Sequence, residues 1–145
     1  MKKELVGKVL KLYLSKKEGR ECTNSILLDD GGVINDKFYN KDIQRSVLLS
    51  SMYSYDLAQD NSIDIEYGKL GENILLDYNP YNLEIGTQLQ IGKAIVEISQ
   101  PCTLCKGLSS LDSRLPKLLK QDRGVFSKVI NKGIIKDNDQ VYLIK

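Results

Sequence analysis

Most apolar runs in this chain are short and alternate with polar side chains, and that period of two is what a half-buried β-strand requires. The clearest instance is Thr87 to Ser99. Leu89 and Ile91 alternate, Gly92-Lys93 supplies a two-residue turn with glycine first, and Ala94, Val96 and Ile98 alternate on the way out. Glycine at the first central position suits a type II′ turn, whose twist matches that of the paired strands.

The same period predicts more strands. In Val9 to Leu14, the side chains of Leu10, Leu12 and Leu14 are expected on one face. Ser25 to Leu28, Arg45 to Leu49, Ile63 to Tyr67 and Asn73 to Leu76 read as further strands. Val125 to Ile130 and Val141 to Ile144 follow, separated by a turn-rich stretch through Asn138. Helical signals are few. Ser50 or Ser51 caps a segment from Met52 to Gln59. Pro116 suits the first turn of a helix carrying Leu115, Leu118 and Leu119 and ending near Gly124. About seven to nine strands with two or three short helices predict a mostly β chain, an antiparallel barrel or sandwich with peripheral helices.

The 145 residues suit one domain over 1–145, large enough to bury a core without a disulfide or metal staple. A formal charge of +2 gives no electrostatic footprint for a nucleic acid or a membrane surface. No apolar run approaches the roughly 18 residues a spanning helix needs. Met1-Lys2-Lys3 has the basic start of a secretion signal, but Lys8 and Lys11 interrupt the apolar stretch and no small-x-small cleavage site follows. The expected location is therefore cytoplasmic, and three cysteines, Cys22, Cys102 and Cys105, fit a reducing compartment.

With no histidine, the chain has no imidazole base, proton shuttle or zinc ligand. Chemistry must use cysteine, carboxylates, lysine, arginine, tyrosine or a bound cofactor. The most unusual stretch is Gln100-Pro101-Cys102-Thr103-Leu104-Cys105-Lys106-Gly107, between a predicted strand and a predicted helix. A cysteine at a helix N-terminus beside Lys106 would have its thiol pKa lowered toward thiolate, the nucleophile and soft-metal ligand. C-x-x-C can be a redox dithiol, half a zinc site, or two small buried apolar side chains. A closed zinc site needs four ligands, and beyond the pair the chain offers only Cys22 and carboxylates.

Two other clusters stand out. Gly31-Gly32-Val33-Ile34-Asn35-Asp36-Lys37-Phe38, followed by Arg45-Ser46-Val47, is turn chemistry with two cations, Lys37 and Arg45, able to hold an anion or simply to be solvated. Gly68-Lys69-Leu70-Gly71-Glu72-Asn73-Ile74 permits a tight turn or close backbone approach, with Asn73 able to pin a loop through its side chain. It lacks the Lys-Ser/Thr ending of a phosphate-binding P-loop.

Taken in order, these clusters resemble the MOSC domain, the family related to the C-terminal domain of molybdenum cofactor sulfurases. The resemblance rests on Gly32 to Phe38 as the first loop and Arg45-Ser46-Val47-Leu48-Leu49 as a strand. It continues through Gly71-Glu72-Asn73-Ile74, Ile91-Gly92-Lys93-Ala94 and Pro101-Cys102-Thr103-Leu104-Cys105, then Arg123-Gly124-Val125-Phe126 and the turn Asp137-Asn138-Asp139. It covers residues 5–145. Asn35, Lys37 and Phe38 stand where the family commonly has Gly, Arg and His, and Cys102 is an additional thiol.

The resemblance implies a β-barrel with peripheral helices and a molybdenum–molybdopterin cofactor. Its functional thiolate falls on Cys105, as molybdenum ligand or as carrier of a sulfane sulfur. Lys37, Arg45, Glu72, Asn73 and Arg123 are the expected cofactor-binding residues, the cations for the pterin phosphate and Asn73 for the pocket. Small stand-alone members are linked to reduction of N-hydroxylated compounds, with electrons from a separate flavin or iron–sulfur reductase. The alternative is a sulfur carrier or cofactor-handling module, loaded by a cysteine desulfurase, with a Cys105 persulfide and Cys102 as resolving thiol.

Overall fold

A computed structural model describes residues 2–102 and 107–145. The alternating segments become β1 (Lys3–Lys16), β2 (Gly19–Thr23), β3 (Ser25–Asp29), β4 (Gly32–Val33), β5 (Val47–Ser51) and β6 (Ile74–Leu76). They continue as β7 (Gln88–Ile91), β8 (Ala94–Pro101), β9 (Val125–Asn131), β10 (Gly133–Lys136) and β11 (Gln140–Ile144). Helices are α1 (Met52–Asp60), α2 (Leu108–Leu111) and α3 (Leu115–Leu118).

Seven strands close on themselves in the order β11-β7-β8-β9-β5-β6-β1, with β1 pairing back onto β11. This is the mostly β barrel expected. Only β5 and β6 run parallel among the paired strands, joined by the long α1-containing crossover. β2 extends the sheet beyond β1, and β10-β3-β4 form a second, three-stranded sheet.

Two apolar clusters follow from the pleat. Val9, Leu12, Leu49, Ile74, Leu76, Leu89, Ile91, Val96, Ile98 and Val141 fill the barrel, joined by Ile26, Leu28, Val33 and Ile135 of the small sheet. On β6, Leu75 points the other way and meets Tyr55, Ala58, Ile63, Leu70, Leu108, Leu115 and Leu119 outside the barrel. The helices are there to cover that outer face. No helix among the described residues is long and apolar enough to cross a bilayer.

The hairpin forms as expected, with Ile91 opposite Ala94. Within the turn φ is positive at Gly92 (57°) but not at Lys93, the pattern of a type II′ turn. A Cβ at Gly92 would lie 2.4 Å from Asp139 Oδ2, so the turn also requires glycine for space. Ser51, one of the two expected caps, closes α1 by accepting from the Tyr53 amide at 3.1 Å.

Four expectations are corrected. Leu10 does not share a face with Leu12 and Leu14. The register shifts between Val9 and Lys11, a bulge that sends Leu10 to the outer cluster while Val9, Leu12 and Leu14 enter the barrel. Arg45 belongs to a one-turn 3-10 segment, Ile43–Arg45, and the strand starts at Val47. Ile63 to Tyr67 is no strand: the Ile63 amide closes α1 onto Ala58 O at 2.9 Å, and its side chain covers the outer cluster. The Pro116 helix stops at Leu118, well short of Gly124; the chain then turns, with the Asp122 amide on Leu119 O at 3.2 Å, and the carbonyls of Asp122 and Arg123 accept from Ser54, Ser50 and Tyr81. β2, β4 and β10 lack a period long enough to register in sequence.

Candidate functional site

The outward faces of β5 and β9 form the floor of a pocket of about 460 Å³, a size typical of cofactor sites. Val47, Leu49 and Val125 point into the barrel, so their neighbours Leu48 and Phe126, opposite each other in register, point out into the pocket. Phe38, Lys41 and Asp42 line it from the β4–β5 loop, Gly71 and Asn73 from the segment before β6, and Cys102 and Arg123 from the ends flanking α2 and α3.

The β4–β5 loop is tied down by one buried carboxylate. Asp36 accepts from the Ser15 amide at 2.6 Å, the Phe38 amide at 3.0 Å and Asn73 Nδ2 at 3.1 Å. Asn73 completes the knot, donating also to Tyr13 O and accepting from the Leu48 amide, each within 3.2 Å. With both donors and its carbonyl engaged, Asn73 pins backbone, as its sequence context suggested.

The cations are arranged differently. The Arg45 guanidinium lies 4.6 Å from the Phe126 ring centroid, a cation–π distance. Arg123 donates from Nη2 to Leu70 O at 3.3 Å, and its own carbonyl accepts from Ser50 Oγ at 3.0 Å and Tyr81 OH at 3.2 Å. In both arginines Nε is buried and has no hydrogen-bond partner among the described residues. A buried charged donor without an acceptor costs about 1–3 kcal/mol or more, so both are primed for an incoming anion.

Three of the expected cofactor-binding residues, Arg45, Asn73 and Arg123, meet at this pocket, and so does Cys102. Lys37 does not line it: its Nζ sits 5.0 Å from the Phe38 ring centroid, and Lys41 from the same loop takes the lining position. Nothing in the sequence marked Lys41 over Lys37. Glu72 also stands away from the lining. It is wholly buried, receives a 2.6 Å hydrogen bond from Tyr55 OH on Oε2, and has Arg20 Nη2 3.9 Å from Oε1. Burial pushes its carboxyl pKa up despite the Tyr55 hydrogen bond and the Arg20 charge. Burial also lowers the Arg20 pKa and raises that of Tyr55.

Cys105 lies outside the described residues, as do Thr103, Leu104 and Lys106. Its described neighbour Cys102 is buried, its amide bonded to Gly124 O at 3.0 Å. Cys22 is exposed on β2 opposite Tyr13 and away from the pocket lining. Among the described residues no three Cys, Asp or Glu side chains gather as a metal site.

The barrel has solved relatives. The YuaD protein from Bacillus subtilis superposes with a TM-score of 0.82 at 16% identity, over 98% of this chain and 97% of that one. YiiM from Escherichia coli gives 0.75 at 18% identity, over 98% and 71%. YiiM from Geobacillus stearothermophilus gives 0.67 at 16%, over 99% and 76%. These likenesses establish the fold. No curated protein sequence matches the chain. The MOSC domain model matches residues 30–142, a span that holds most of the pocket's lining. A barrel of this topology, with that match along most of its length, places the chain in the MOSC domain family, which is associated with the molybdenum cofactor.

Proposed function

We propose that the chain holds a molybdenum–molybdopterin group in this pocket and reduces N-hydroxylated compounds, with electrons from a separate flavin or iron–sulfur reductase. The observation that carries the reading is the pair of pocket-lining arginines, Arg45 and Arg123, each with a buried Nε lacking an acceptor among the described residues. A pterin phosphate would supply those acceptors, with Lys41 adding charge at the wall. The apolar floor of Leu48 and Phe126 suits the pterin ring.

When bound, the molybdenum centre supplies two-electron redox that no side chain of this chain can. Cys105 follows Cys102 by three positions, and its thiolate would be the metal ligand. The residues' work is otherwise binding and exclusion of water: Arg45 and Arg123 clamp the phosphate, while the Asp36–Asn73 knot keeps the loop wall in place. In the overall reaction an N–OH compound takes up two electrons and two protons and leaves as N–H and water.

The test is the molybdenum and pterin content of protein purified under reducing conditions from a cofactor-competent host, beside Cys105→Ser and Arg45→Ala. Near-stoichiometric metal, lost in both variants, is expected. Absence of molybdenum in all three, with a cofactor-replete control protein loaded in parallel, overturns the reading. The buried position of Cys102 at the pocket favours one second reading, a sulfur carrier with a Cys105 persulfide resolved by Cys102. Incubation with a cysteine desulfurase would then label Cys105, and Cys102→Ser would impair transfer, whereas under the first reading it would spare reduction.

A further inference from the structure

Tyr55 touches nothing in the pocket, yet its hydroxyl is the hub of the wall. Tyr55 Oη accepts from the amides of Gly68 at 3.0 Å and Leu70 at 3.3 Å. Both lone pairs are engaged, so its single proton must go outward, and Glu72 Oε2 receives it at 2.6 Å. The Tyr67–Gly68 and Lys69–Leu70 peptide units are thereby held, and the next unit, which carries the Leu70 carbonyl, is closed onto the same turn by the Gly71 amide, bonded to Gly68 O at 3.2 Å. The Leu70 carbonyl is the acceptor for Arg123 Nη2 at 3.3 Å. At the other end, Arg123's own carbonyl is held by Ser50 Oγ and Tyr81 OH.

We infer that Tyr55, oriented by Glu72, is a positioning residue for Arg123: it presets the guanidinium for an anion by holding the Gly68–Gly71 turn, whose Leu70 carbonyl the side chain rests on. This rests on the reading of the pocket as an anion site. Two features separate it from plain core packing. Tyr55 and Glu72 are nearly or wholly buried, and the Tyr55 hydroxyl accepts from the amides of one loop rather than from the barrel. The Arg123 side chain has a single hydrogen bond among the described residues, the one to that loop. A side chain held in its bound geometry loses less freedom when ligand arrives, so its affinity is higher.

Inorganic pyrophosphate, followed by calorimetry, probes the site without the cofactor. Tyr55→Phe keeps the ring against Tyr67, whose centroid is 4.9 Å away, and removes only the hydroxyl. It should weaken pyrophosphate binding about tenfold, the loss of one charge-assisted contact. Tyr142→Phe, whose hydroxyl bonds Gln140 on β11, should change nothing. The decisive comparison is the cycle with Arg123→Ala. If Tyr55 acts through Arg123, the double variant binds no more weakly than Arg123→Ala alone. Additive losses overturn the inference. Should Tyr55→Phe not fold, the unaltered protein still answers: the Arg123 Nε–H resonance, assigned by its disappearance in Arg123→Lys, should be that of an ordered side chain before any anion is added, and a mobile one overturns the inference. The pocket reading fails separately, if Arg45→Ala and Arg123→Ala both bind pyrophosphate as the unaltered chain does.

Discussion

Asn73 Nδ2 donates to Asp36 Oδ1 at 3.1 Å, joining two segments 37 residues apart in sequence. One is the loop after β4, the other the Gly71-Glu72-Asn73-Ile74 run, and their union makes one wall of the pocket. Asp36→Ala would strand the Ser15 and Phe38 amides as well as Asn73. With buried donors costing about 1–3 kcal/mol each when unmet, a total loss of about 2–4 kcal/mol is expected, some being recovered by water. Urea unfolding at constant m-value checks it.

Arg45 and Phe126 should behave as a ligand-binding residue and its support. Arg45→Ala is expected to reduce pyrophosphate affinity by about ten- to a hundredfold, as a charged hydrogen-bond donor is lost. Phe126→Ala removes a stacking contact worth about 0.5–1 kcal/mol, so its effect on binding should be about two- to fivefold. Titration calorimetry at fixed salt distinguishes the two, and an equal loss from both would contradict this division of labour.

Glu72 should leave a signature in stability against pH. Its folded pKa is raised above the ordinary 4.5, chiefly by burial. The folded state therefore holds its proton more tightly than the unfolded chain does. The stability this confers is full below pH 4.5 and is lost as pH rises through the folded value. Glu72→Gln cannot titrate, so the stability of the unaltered chain relative to this variant should fall with rising pH. Paired urea titrations from about pH 4 upward read the slope directly.

Leu75 tests the outer cluster. It is wholly buried between β6 and the helices, so Leu75→Ala should cost about 2–5 kcal/mol, as truncation of barrel residue Leu12 should. Because Leu70 sits in the same cluster, Leu75→Ala should also weaken pyrophosphate binding more than Leu12→Ala does.

Much of the barrel was legible in the sequence because its strands alternate and its main hairpin has a distinctive turn. The failures share one cause, which is that backbone and side chains answered to distant partners. Leu10 faces outward because of a bulge that leaves no mark on the alternation of Leu10, Leu12 and Leu14. The Pro116 helix ends early, and the carbonyls of Asp122 and Arg123 beyond it are taken by Ser50, Ser54 and Tyr81, far away in sequence. At the site, the resemblance singled out Arg45, Asn73 and Arg123, which line the pocket, along with Lys37 and Glu72, which do not. The roles of Tyr55 and Asp36 were not, since a tyrosine in a short helix and an aspartate in a loop look like ordinary residues until the loop folds onto them.

The seam between β1 and β11 has a further consequence. Leu5 pairs with Tyr142 and Lys3 with Ile144, so the barrel closes through contacts that span nearly the whole sequence. A chain growing from its amino end carries an open sheet whose β1 and β7 edges stay unmet until residues 140–144 emerge. Closure is then a single late event, governed by the largest loop the chain can make. During synthesis those bare edges are the ones at risk of pairing with another nascent chain, and the finished ring withdraws them all at once.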